Sequence, residues 1–276
     1  MISITSNWRE YFHSFDEGLG TTYERFILHG YFKKLRKEFL VESVIEVPSF
    51  GMTGISGINS MWWAMQGADV TVVDDQQERI NYIKKVWQDT SLEADFIQCP
   101  NYSALPFKDN AFDLSWNFAS LWFVPDLTDF LKELTRITRT VVFICVPNRL
   151  GLGYICRRTL GADHSEGLHY GNIRPGRIKA VMRRLGWGVS EEGFLDIPPW
   201  PDIAMKKEDL LKKFGLRRLA GRICQRGGSG ACILDYYSDK KKNLENEILG
   251  YAFLENSPWV VKRFWAHHEF LIFTRS

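Results

Sequence analysis

Residues 41–75, VESVIEVPSFGMTGISGINSMWWAMQGADVTVVDD, carry the clearest structural signal in this chain. An apolar strand ends at Glu46, and a second one, Val70–Val73, ends in Asp74. The turn between them contains three glycines: Gly51, Gly54 and Gly57. Strand, glycine-rich turn, helix and strand in this order form the first half of a nucleotide-binding βαβ unit, whose closing acid can bind two ribose hydroxyls. The stretch therefore predicts a nucleoside-cofactor site, with an ordinary glycine-rich turn as the alternative.

The spacing of the glycines and the acid before them separate two classes of cofactor. A dinucleotide site requires G-x-G-x-x-G, whose close pair of glycines holds a pyrophosphate, whereas this chain has G-x-x-G-x-x-G. Glu46 stands directly before the turn, where its carboxylate would repel a pyrophosphate. S-adenosylmethionine has an ammonium, a sulfonium and no phosphate. The stretch therefore favours S-adenosylmethionine over a dinucleotide.

Length and composition set the class of protein. The 276 residues, 45% hydrophobic and 25% charged, suit one large domain or a domain with an insert. A formal net charge of +2 does not argue for a nucleic-acid partner. The five cysteines form no C-x-x-C pair, and their odd number argues against a disulfide framework. No signal-peptide pattern and no apolar run of the ~18 residues that a membrane span needs are visible, so we expect a cytoplasmic protein.

Strand-like and helix-like segments alternate along the first two thirds of the chain, as in a doubly wound α/β sheet. Residues 1–40 are expected to be helical, with Thr21 or Thr22 as an N-cap. The other main expectations are a helix over Asp126–Thr138, a buried strand over Thr140–Val146, a helix from Pro175 to Leu185 and a last strand over Phe264–Thr274. Between the sixth and seventh strands, residues 202–257 are expected to form an insertion.

Within that insertion, residues 206–226 are basic and contain two short apolar stripes separated by Gly215. A hinged, solvated lid is the simplest interpretation of this segment. Contact with an anionic membrane surface is the second interpretation, and nucleic-acid binding is the third.

With these residues in hand, the chain resembles the class I S-adenosylmethionine-dependent methyltransferases, best over residues 41–147. Members carry a "D-x-x-x-L-P-F … F-D" segment, which Asn101–Phe107 and Phe112–Asp113 match in part. The resemblance implies an α/β fold with a Rossmann-like seven-stranded, mostly parallel sheet flanked by helices. The expected domain organisation is a helical lid over 1–40, a cofactor-binding core over 41–197, a cap insertion over 198–260 and the final strand of the core over 261–276.

The resemblance also implies where the cofactor binds. Asp74 fits the ribose-binding acid, and the segment from Asn101 fits the adenine contact. The positions expected at the cofactor are Tyr23, Glu46, Pro48, Ser49, Phe50, Gly51, Gly54, Gly57, Asp74, Asp75, Asn101, Tyr102, Asn117 and Phe118. The aromatic residues expected at the acceptor are Trp122, Phe123 and Trp200. The chain departs from the family pattern at three places, since Pro48 replaces a glycine, Asn101 replaces an aspartate and the pair Trp122-Phe123 replaces a histidine.

Methyl transfer from a sulfonium is an in-line displacement, so much of catalysis is alignment and exclusion of water. Hydroxyl and carbon acceptors also need a base, and the candidates are His164, His169 and Tyr170, in the loop before Pro175. The pair His267-His268 lies in a predicted strand, whose alternation would send the two side chains to opposite faces. We therefore expect no metal site.

The sequence predicts S-adenosylmethionine-dependent methyl transfer to a small, partly apolar or lipid-like acceptor. A non-catalytic S-adenosylmethionine-binding regulatory or partner subunit is the alternative, which Pro48 and Asn101 keep open. An NAD-dependent oxidoreductase is less favoured, because the Y-x-x-x-K at Tyr236 and Lys240 lies in the insertion. A nucleic-acid partner is not favoured, peripheral membrane contact is compatible with the basic segment, and the sequence predicts no oligomeric state.

Overall fold

A computed structural model describes residues 4–15, 17–51, 54–159, 167–199 and 232–276 of the chain. Its strands are β1 Ser43–Glu46, β2 Asp69–Asp74, β3 Asp95–Gln98, β4 Phe112–Phe118, β5 Thr138–Pro147, β6 Trp187–Leu195 and β7 His268–Arg275. Its helices up to β6 are α1 Ile4–Ser14, α2 Gly18–Phe39, α3 Met61–Met65, α4 Gln77–Asp89, α5 Leu127–Ile137, α6 Leu152–Thr159 and α7 Pro175–Arg184, with a 3₁₀ turn at Leu121–Phe123. Between β6 and β7 the described helices are Ile233–Tyr237, Leu244–Leu249, the 3₁₀ helix Ala252–Asn256 and Trp259–Trp265.

The seven strands form one sheet in the order β3-β2-β1-β4-β5-β7-β6. β7 runs antiparallel to both of its neighbours, and the other pairs are parallel. The strand order reverses between β1 and β4, and open α/β sheets bind their ligands at the carboxyl ends of the strands beside such a reversal. The predicted seven-stranded, mostly parallel α/β sheet is confirmed.

The apolar run of β5 is buried because helices cover both faces of the sheet. Along this strand the side chains alternate between two core layers. Val141, Phe143 and Cys145 pack in the layer that contains α2 and α3. Val142, Ile144 and Val146 pack in the layer that contains α5 and α7. The central strands therefore form a rigid base, and the loops at their carboxyl ends extend from it.

Two expectations about element boundaries were wrong. α2 begins at Gly18, so Thr21 and Thr22 lie inside the helix and cap nothing; the Thr22 hydroxyl donates a hydrogen bond to the Gly18 carbonyl at 3.1 Å. The last strand begins at His268, because the preceding residues Trp259–Trp265 form a helix that starts after Pro258.

The described part of the insertion packs on the N-terminal helices. Leu244–Leu249 contacts α2, and the Tyr237 hydroxyl lies 2.9 Å from Nε2 of His29 in α2. The basic segment 206–226 and its expected hinge at Gly215 lie outside the described residues. None of the helices in the described ranges is long and apolar enough to cross a membrane.

Candidate cofactor and acceptor site

The glycine loop leaves β1 at the point where the strand order reverses, and α2 lies directly on it. Gly54 has a φ of +72°, a conformation that favours glycine. A Cβ atom at this position would overlap the side chains of Glu17, Thr21 and Arg25. The absence of a side chain at Gly54 therefore allows the N-terminal helix to pack closely against the loop.

A buried ion pair holds α2 to the loop. Nε of Arg25 donates a hydrogen bond to Oε2 of Glu17 at 2.9 Å, and both side chains are almost fully buried. Arg25 also donates to the Ile55 carbonyl at 2.9 Å, while Glu17 accepts the Ile55 N–H at 2.6 Å. Tyr23, a predicted cofactor contact on the same helix, donates its hydroxyl hydrogen bond to Glu255 at 2.8 Å. The N-terminal helices thus form a fixed wall of the site.

Glu46, the acid at the end of β1, is buried beneath the start of α3. Its Oε2 accepts hydrogen bonds from the Ser60 hydroxyl at 2.7 Å and from the Ser60 N–H at 3.2 Å. Burial raises the pKa of Glu46 to about 7, and the hydrogen bonds from Ser60 act in the opposite direction. Trp116 of β4 donates its indole hydrogen bond to the same hydroxyl at 3.0 Å, which ties β1, α3 and β4 together.

Asp74, the acid at the end of β2, is fully buried and hydrogen-bonded on both oxygens. Oδ1 accepts the Gln76 N–H at 2.9 Å and Nε of Arg79 at 2.8 Å, and Oδ2 accepts the Ser49 hydroxyl at 3.0 Å. Burial raises the pKa of Asp74 to about 6, against the opposing effect of Arg79. The Phe50 ring covers the Arg79 guanidinium at 3.9 Å. Arg79 is a site residue that the sequence reasoning missed, although its position in the first turns of α4 after the acid was a usable signal.

The predicted adenine segment borders these acids. Asn101 is exposed, and its Oδ1 accepts the Ser103 N–H at 3.0 Å in a local turn. Tyr102 is buried, and burial followed by the nearby charges of Asp74 and Asp75 raises the pKa of its hydroxyl well above the ordinary value. Asp75 also pairs with Arg79, but 41% of its side chain is exposed, whereas the Asp74 side chain is fully buried.

Aromatic rings and unsatisfied polar atoms meet at the carboxyl end of β4. The side chains of Asn117 and Ser120 are fully buried, and neither makes a hydrogen bond within the described part of the chain. Phe123 packs against Phe50 with ring centroids 4.8 Å apart, and Trp122 is buried beside it. Since buried polar groups are rarely left without partners, the end of β4 is suited to a polar ligand group.

Two of the three predicted bases lie beside this aromatic wall. The backbone N–H of His169 donates to the Trp122 carbonyl at 2.7 Å, and the Tyr170 ring lies 6.4 Å from the Trp122 ring. The His169 side chain is exposed. The third predicted base, His164, and the predicted acceptor contact Trp200 lie outside the described residues.

A cluster of acids and histidines lies at the same edge of the sheet, beyond β5. Nδ1 of His267 lies 2.8 Å from Oδ2 of Asp196, and Nδ1 of His268 lies 3.5 Å from the same oxygen. Glu24 of α2 approaches His268 to 3.8 Å. The expectation that strand alternation separates the two histidines was wrong, because His267 precedes β7 and only His268 belongs to the strand. Asp196 was missed because its partners lie far away in the sequence.

The residues fit S-adenosylmethionine in type and position. The acids Glu46 and Asp74 end the two strands beside the reversal of strand order, and the unsatisfied amide of Asn117 lies at the end of the next strand. The hydrogen bonds of Asp74 to Arg79 and Ser49 mean that a ribose would share or replace these partners. The two acids and the Asn117 amide thus lie at the edge of the sheet where open α/β sheets bind their ligands.

Comparison with known proteins agrees with this geometry. Residues 51–145 match the family model described as a methyltransferase domain. A protein of Galdieria sulphuraria proposed to be a sarcosine dimethylglycine methyltransferase is similar in structure, with 12% identity, a TM-score of 0.51 and coverage of 92% of this chain and 85% of that one. A Bacillus halodurans protein proposed to be a methyltransferase has 12% identity, a TM-score of 0.51 and coverage of 88% and 97%. The YcgJ protein of Bacillus subtilis has 13% identity, a TM-score of 0.50 and coverage of 90% and 97%.

At these identities the structural likeness shows the fold alone, and a sequence search of curated proteins finds no significant match. The evidence for methyltransferase activity is the domain match, which spans the glycine turn, Asp74 and β4. Residues 51–145 therefore carry a methyltransferase domain, which lies within a sheet that has the methyltransferase fold, and together these findings support an S-adenosylmethionine-dependent methyltransferase with S-adenosylmethionine as its cofactor.

Proposed function

We propose that this methyltransferase acts on a small, partly apolar or lipid-like acceptor that binds at the carboxyl edge of β4 and β5. The cofactor supplies an activated methyl group when it is bound. The chain's own residues have to align the acceptor atom with that group and keep water away from it. The residues that hold the cofactor and the surface that binds the acceptor therefore determine the reaction.

We assign the cofactor contacts from the positions of the acids. Asp74 binds the ribose hydroxyls, sharing its carboxylate with Ser49 and Arg79. Glu46 attracts the cationic amino-acid end, because it is the carboxylate at the end of β1 and titrates near neutral pH. Asn101 and Tyr102 border the adenine. These roles follow the family pattern, and the local hydrogen bonds support the placement of each side chain.

One observation carries the proposed acceptor class. Between residues 252 and 265 five large apolar side chains are exposed, namely Phe253, Trp259, Val260, Val261 and Phe264. The same segment contributes Glu255, which accepts a hydrogen bond from Tyr23 at 2.8 Å and lies near Asp196. An exposed apolar surface of this kind marks a binding site for an apolar partner. The helix Trp259–Trp265 packs on α6 and β6, and its exposed apolar side chains favour an acceptor with an apolar part.

Acceptors with a hydroxyl or an acidic carbon need a base, and the described candidates lie on two sides of the edge. His169 and Tyr170 lie beside Trp122, and the His267–Asp196 pair lies beyond β5. Tyr170 is half-buried, whereas the His169 side chain is exposed. We therefore assign Tyr170 as the base candidate nearer to the aromatic wall.

The direct test follows a labelled methyl group from S-adenosylmethionine into an extract of small molecules. After the reaction the mixture is partitioned between water and an organic solvent. We expect label in the organic phase, and less of it after Phe123→Ala, which opens the wall without touching an acid. Label that appears only in water-soluble products would contradict the acceptor class while leaving the methyltransferase activity intact.

A non-catalytic cofactor-binding subunit is the second candidate, and the closed ion pairs favour it. Asp74 is fully engaged with Arg79, and the Glu17–Arg25 pair lies against Gly54. Such a subunit would bind S-adenosylmethionine in calorimetry but transfer no label to any fraction of the extract. Transfer at many turnovers per chain would exclude this candidate.

A further inference from the structure

The cluster beyond β5 brings together three ligand-type side chains from distant parts of the chain. Glu24 comes from α2, Asp196 follows β6 and His268 begins β7. One ligand atom from each lies within 4.8 Å of the other two. Their side chains are 7%, 3% and 12% exposed, so the group is largely shielded from water. The three residues meet only because β7 runs antiparallel and presents its first residue at the carboxyl edge.

The imidazole nitrogen of His268 lies close to both carboxylates of the cluster. Nδ1 of His268 lies 3.5 Å from Oδ2 of Asp196 and 3.8 Å from Oε2 of Glu24. Both distances exceed the usual N–H···O length of about 2.7–3.2 Å. Ligands at about 2.0–2.2 Å from a tetrahedral ion are about 3.3–3.6 Å apart. The 3.5 Å distance lies within this range and the 3.8 Å distance slightly above it, so the spacing of the His268 nitrogen from the two carboxylates is compatible with coordination to one cation.

The negative charges of the cluster also favour a bound cation. Glu24 and Asp196 are two carboxylates, and a third, Glu255, accepts hydrogen bonds from residues next to them, the Tyr23 hydroxyl at 2.8 Å and the Ile197 N–H at 2.6 Å. Buried carboxylates are costly unless they are paired or coordinate a metal. Oδ2 of Asp196 faces both His267 and His268, while its buried Oδ1 makes no hydrogen bond to the residues that the structure describes.

His267 holds the aspartate in a fixed orientation. Its Nδ1 lies 2.8 Å from Oδ2 of Asp196, and its backbone N–H donates to the Asp196 carbonyl at 3.0 Å. Carboxylates that ligate metals are commonly held by a further hydrogen bond of this kind. His267 therefore has the place of a positioning residue, next to the three ligand candidates.

We propose that Glu24, Asp196 and His268 bind a divalent first-row transition-metal ion, with Mn²⁺ and Zn²⁺ as the best matches to two carboxylate oxygens and one imidazole nitrogen. The ion lies on the acceptor side of the sheet, since the His268 ring is 4.5 Å from the Phe118 ring at the end of β4. Three protein ligands leave a position open for an oxygen of another molecule. The inference depends neither on the acceptor class nor on methyl transfer.

The test measures metal binding alone, on the full chain after treatment with a chelator and dialysis. MnCl₂, ZnCl₂ and MgCl₂ are titrated separately in a calorimeter at neutral pH, without cofactor or acceptor. We expect saturable binding of about one Mn²⁺ per chain and weaker binding of Mg²⁺, which prefers oxygen ligands and several waters. Mn²⁺ is the deciding probe, because the thiols of the chain's five cysteines bind it poorly.

Substitutions test which side chains bind the Mn²⁺ ion. Glu24→Gln, Asp196→Asn and His268→Gln should each weaken Mn²⁺ binding by more than about tenfold, and His267→Gln should weaken it less. His13→Gln on α1 is the matched control, since this histidine is exposed and belongs to a different helix. Circular dichroism identifies any variant that fails to fold. For that case, the wild-type chain supplies an independent measurement, since Mn²⁺ should raise its thermal midpoint in a saturable manner.

The absence of saturable Mn²⁺ and Zn²⁺ binding to the wild-type chain, or unchanged binding in all three folded variants, would overturn the proposal. Either result leaves the proposed methyl transfer untouched, because that activity is assayed with a labelled cofactor and without added metal. Conversely, a chain that binds Mn²⁺ through these residues but transfers no methyl group would support the metal site and contradict the proposed function.

Discussion

At the scale of single residues, Asp74 is the side chain on which cofactor affinity should depend most. Replacing it with alanine removes a charged acceptor from the ribose, so we expect S-adenosylhomocysteine binding to weaken by about 1.5–3 kcal/mol. Calorimetry measures the loss directly. Asp75→Ala is the control, because 41% of its side chain is exposed and it lies beside the site. Equal affinities of the wild type and the Asp74 variant for S-adenosylhomocysteine would contradict the assignment of Asp74 to the ribose.

Glu46 should make cofactor binding depend on pH. Burial raises its pKa to about 7, so the carboxylate is charged above that pH and neutral below it. Because only the charged form attracts the ammonium of S-adenosylmethionine, affinity should rise as the pH passes upward through about 7. The amide in Glu46→Gln cannot titrate, and this step should disappear in that variant. Adenosine, which has no ammonium, serves as the control ligand; a step of equal size for adenosine would mean that Glu46 acts through the loop structure.

The sequence predicted both of these acids, but it did not predict what they touch. Glu46 and Asp74 were visible because each one ends an apolar strand beside a glycine turn. The partners of Asp196 were not visible, since His267 lies 71 positions away and meets it only across the sheet edge. Contacts of this kind depend on the order of strands in the sheet, which a local pattern does not contain. Arg79 was closer to being predictable, because it is five positions after Asp74.

At the scale of elements, the seat of α2 on the glycine loop depends on the Glu17–Arg25 pair. Glu17→Gln leaves the Arg25 charge buried without its anion, and breaking such a pair costs about 3–5 kcal/mol. Urea unfolding measures this loss in the free energy of unfolding. The double variant Glu17→Gln/Arg25→Met should be more stable than Glu17→Gln alone, since no buried charge remains.

The exposed pair Arg9–Glu78 is the matched comparison, with about half of each side chain in water. Arg9→Gln should cost less than about 1 kcal/mol, as is usual for surface ion pairs. Similar losses for Arg9→Gln and Glu17→Gln would show that the buried pair does not hold the N-terminal helix.

The apolar segment 252–265 should bind a lipid surface. The exposed fractions of the Trp259 and Val260 side chains are 57% and 60%, and Lys262 and Arg263 lie beside them. Trp259→Ser/Val260→Ser should therefore reduce sedimentation with anionic liposomes. Leu40→Ser is the control, because Leu40 is 82% exposed but lies before β1, at the opposite edge of the sheet. A wild-type chain that stays in the supernatant at low salt would rule out this surface.

Element boundaries show where local patterns succeed and where they fail. The helix expected at Asp126–Thr138 was found at Leu127–Ile137, because Asp126 is its N-cap and accepts hydrogen bonds from Thr128 and Asp129. The residues Trp259–Trp265 were partly assigned to the last strand, since aromatic and β-branched residues favour strands. The structure has a helix there, and neighbouring elements rather than intrinsic propensity determine its conformation.

At the scale of the whole molecule, cofactor binding and folding stability should be linked. A ligand that binds only the folded chain adds about 2.7 kcal/mol at a concentration of 100 times its dissociation constant. For a domain of this size, that corresponds to a rise in melting temperature of about 5–10 °C. S-adenosylhomocysteine should produce this shift in the wild type and a smaller one in Asp74→Ala. Identical shifts in both proteins would place the ligand elsewhere.

The antiparallel direction of β7 has a consequence for how such a chain can change its substrate. Asp196 and His268 are the two ends of one continuous span, while Glu46 and Asp74 precede that span entirely. The proposed metal ligands Asp196 and His268 and the exposed apolar segment 252–265 therefore lie in one block of the sequence, whereas the aromatic wall at Trp122 and Phe123 lies outside it. Exchanging residues 196–268 for the equivalent block of another methyltransferase, with Glu24 matched to it, should leave binding of the methyl donor unchanged and alter the preference among acceptors, since Glu46 and Asp74 stay in place. An insertion between β6 and β7 can therefore vary during evolution without disturbing the two acids that end β1 and β2.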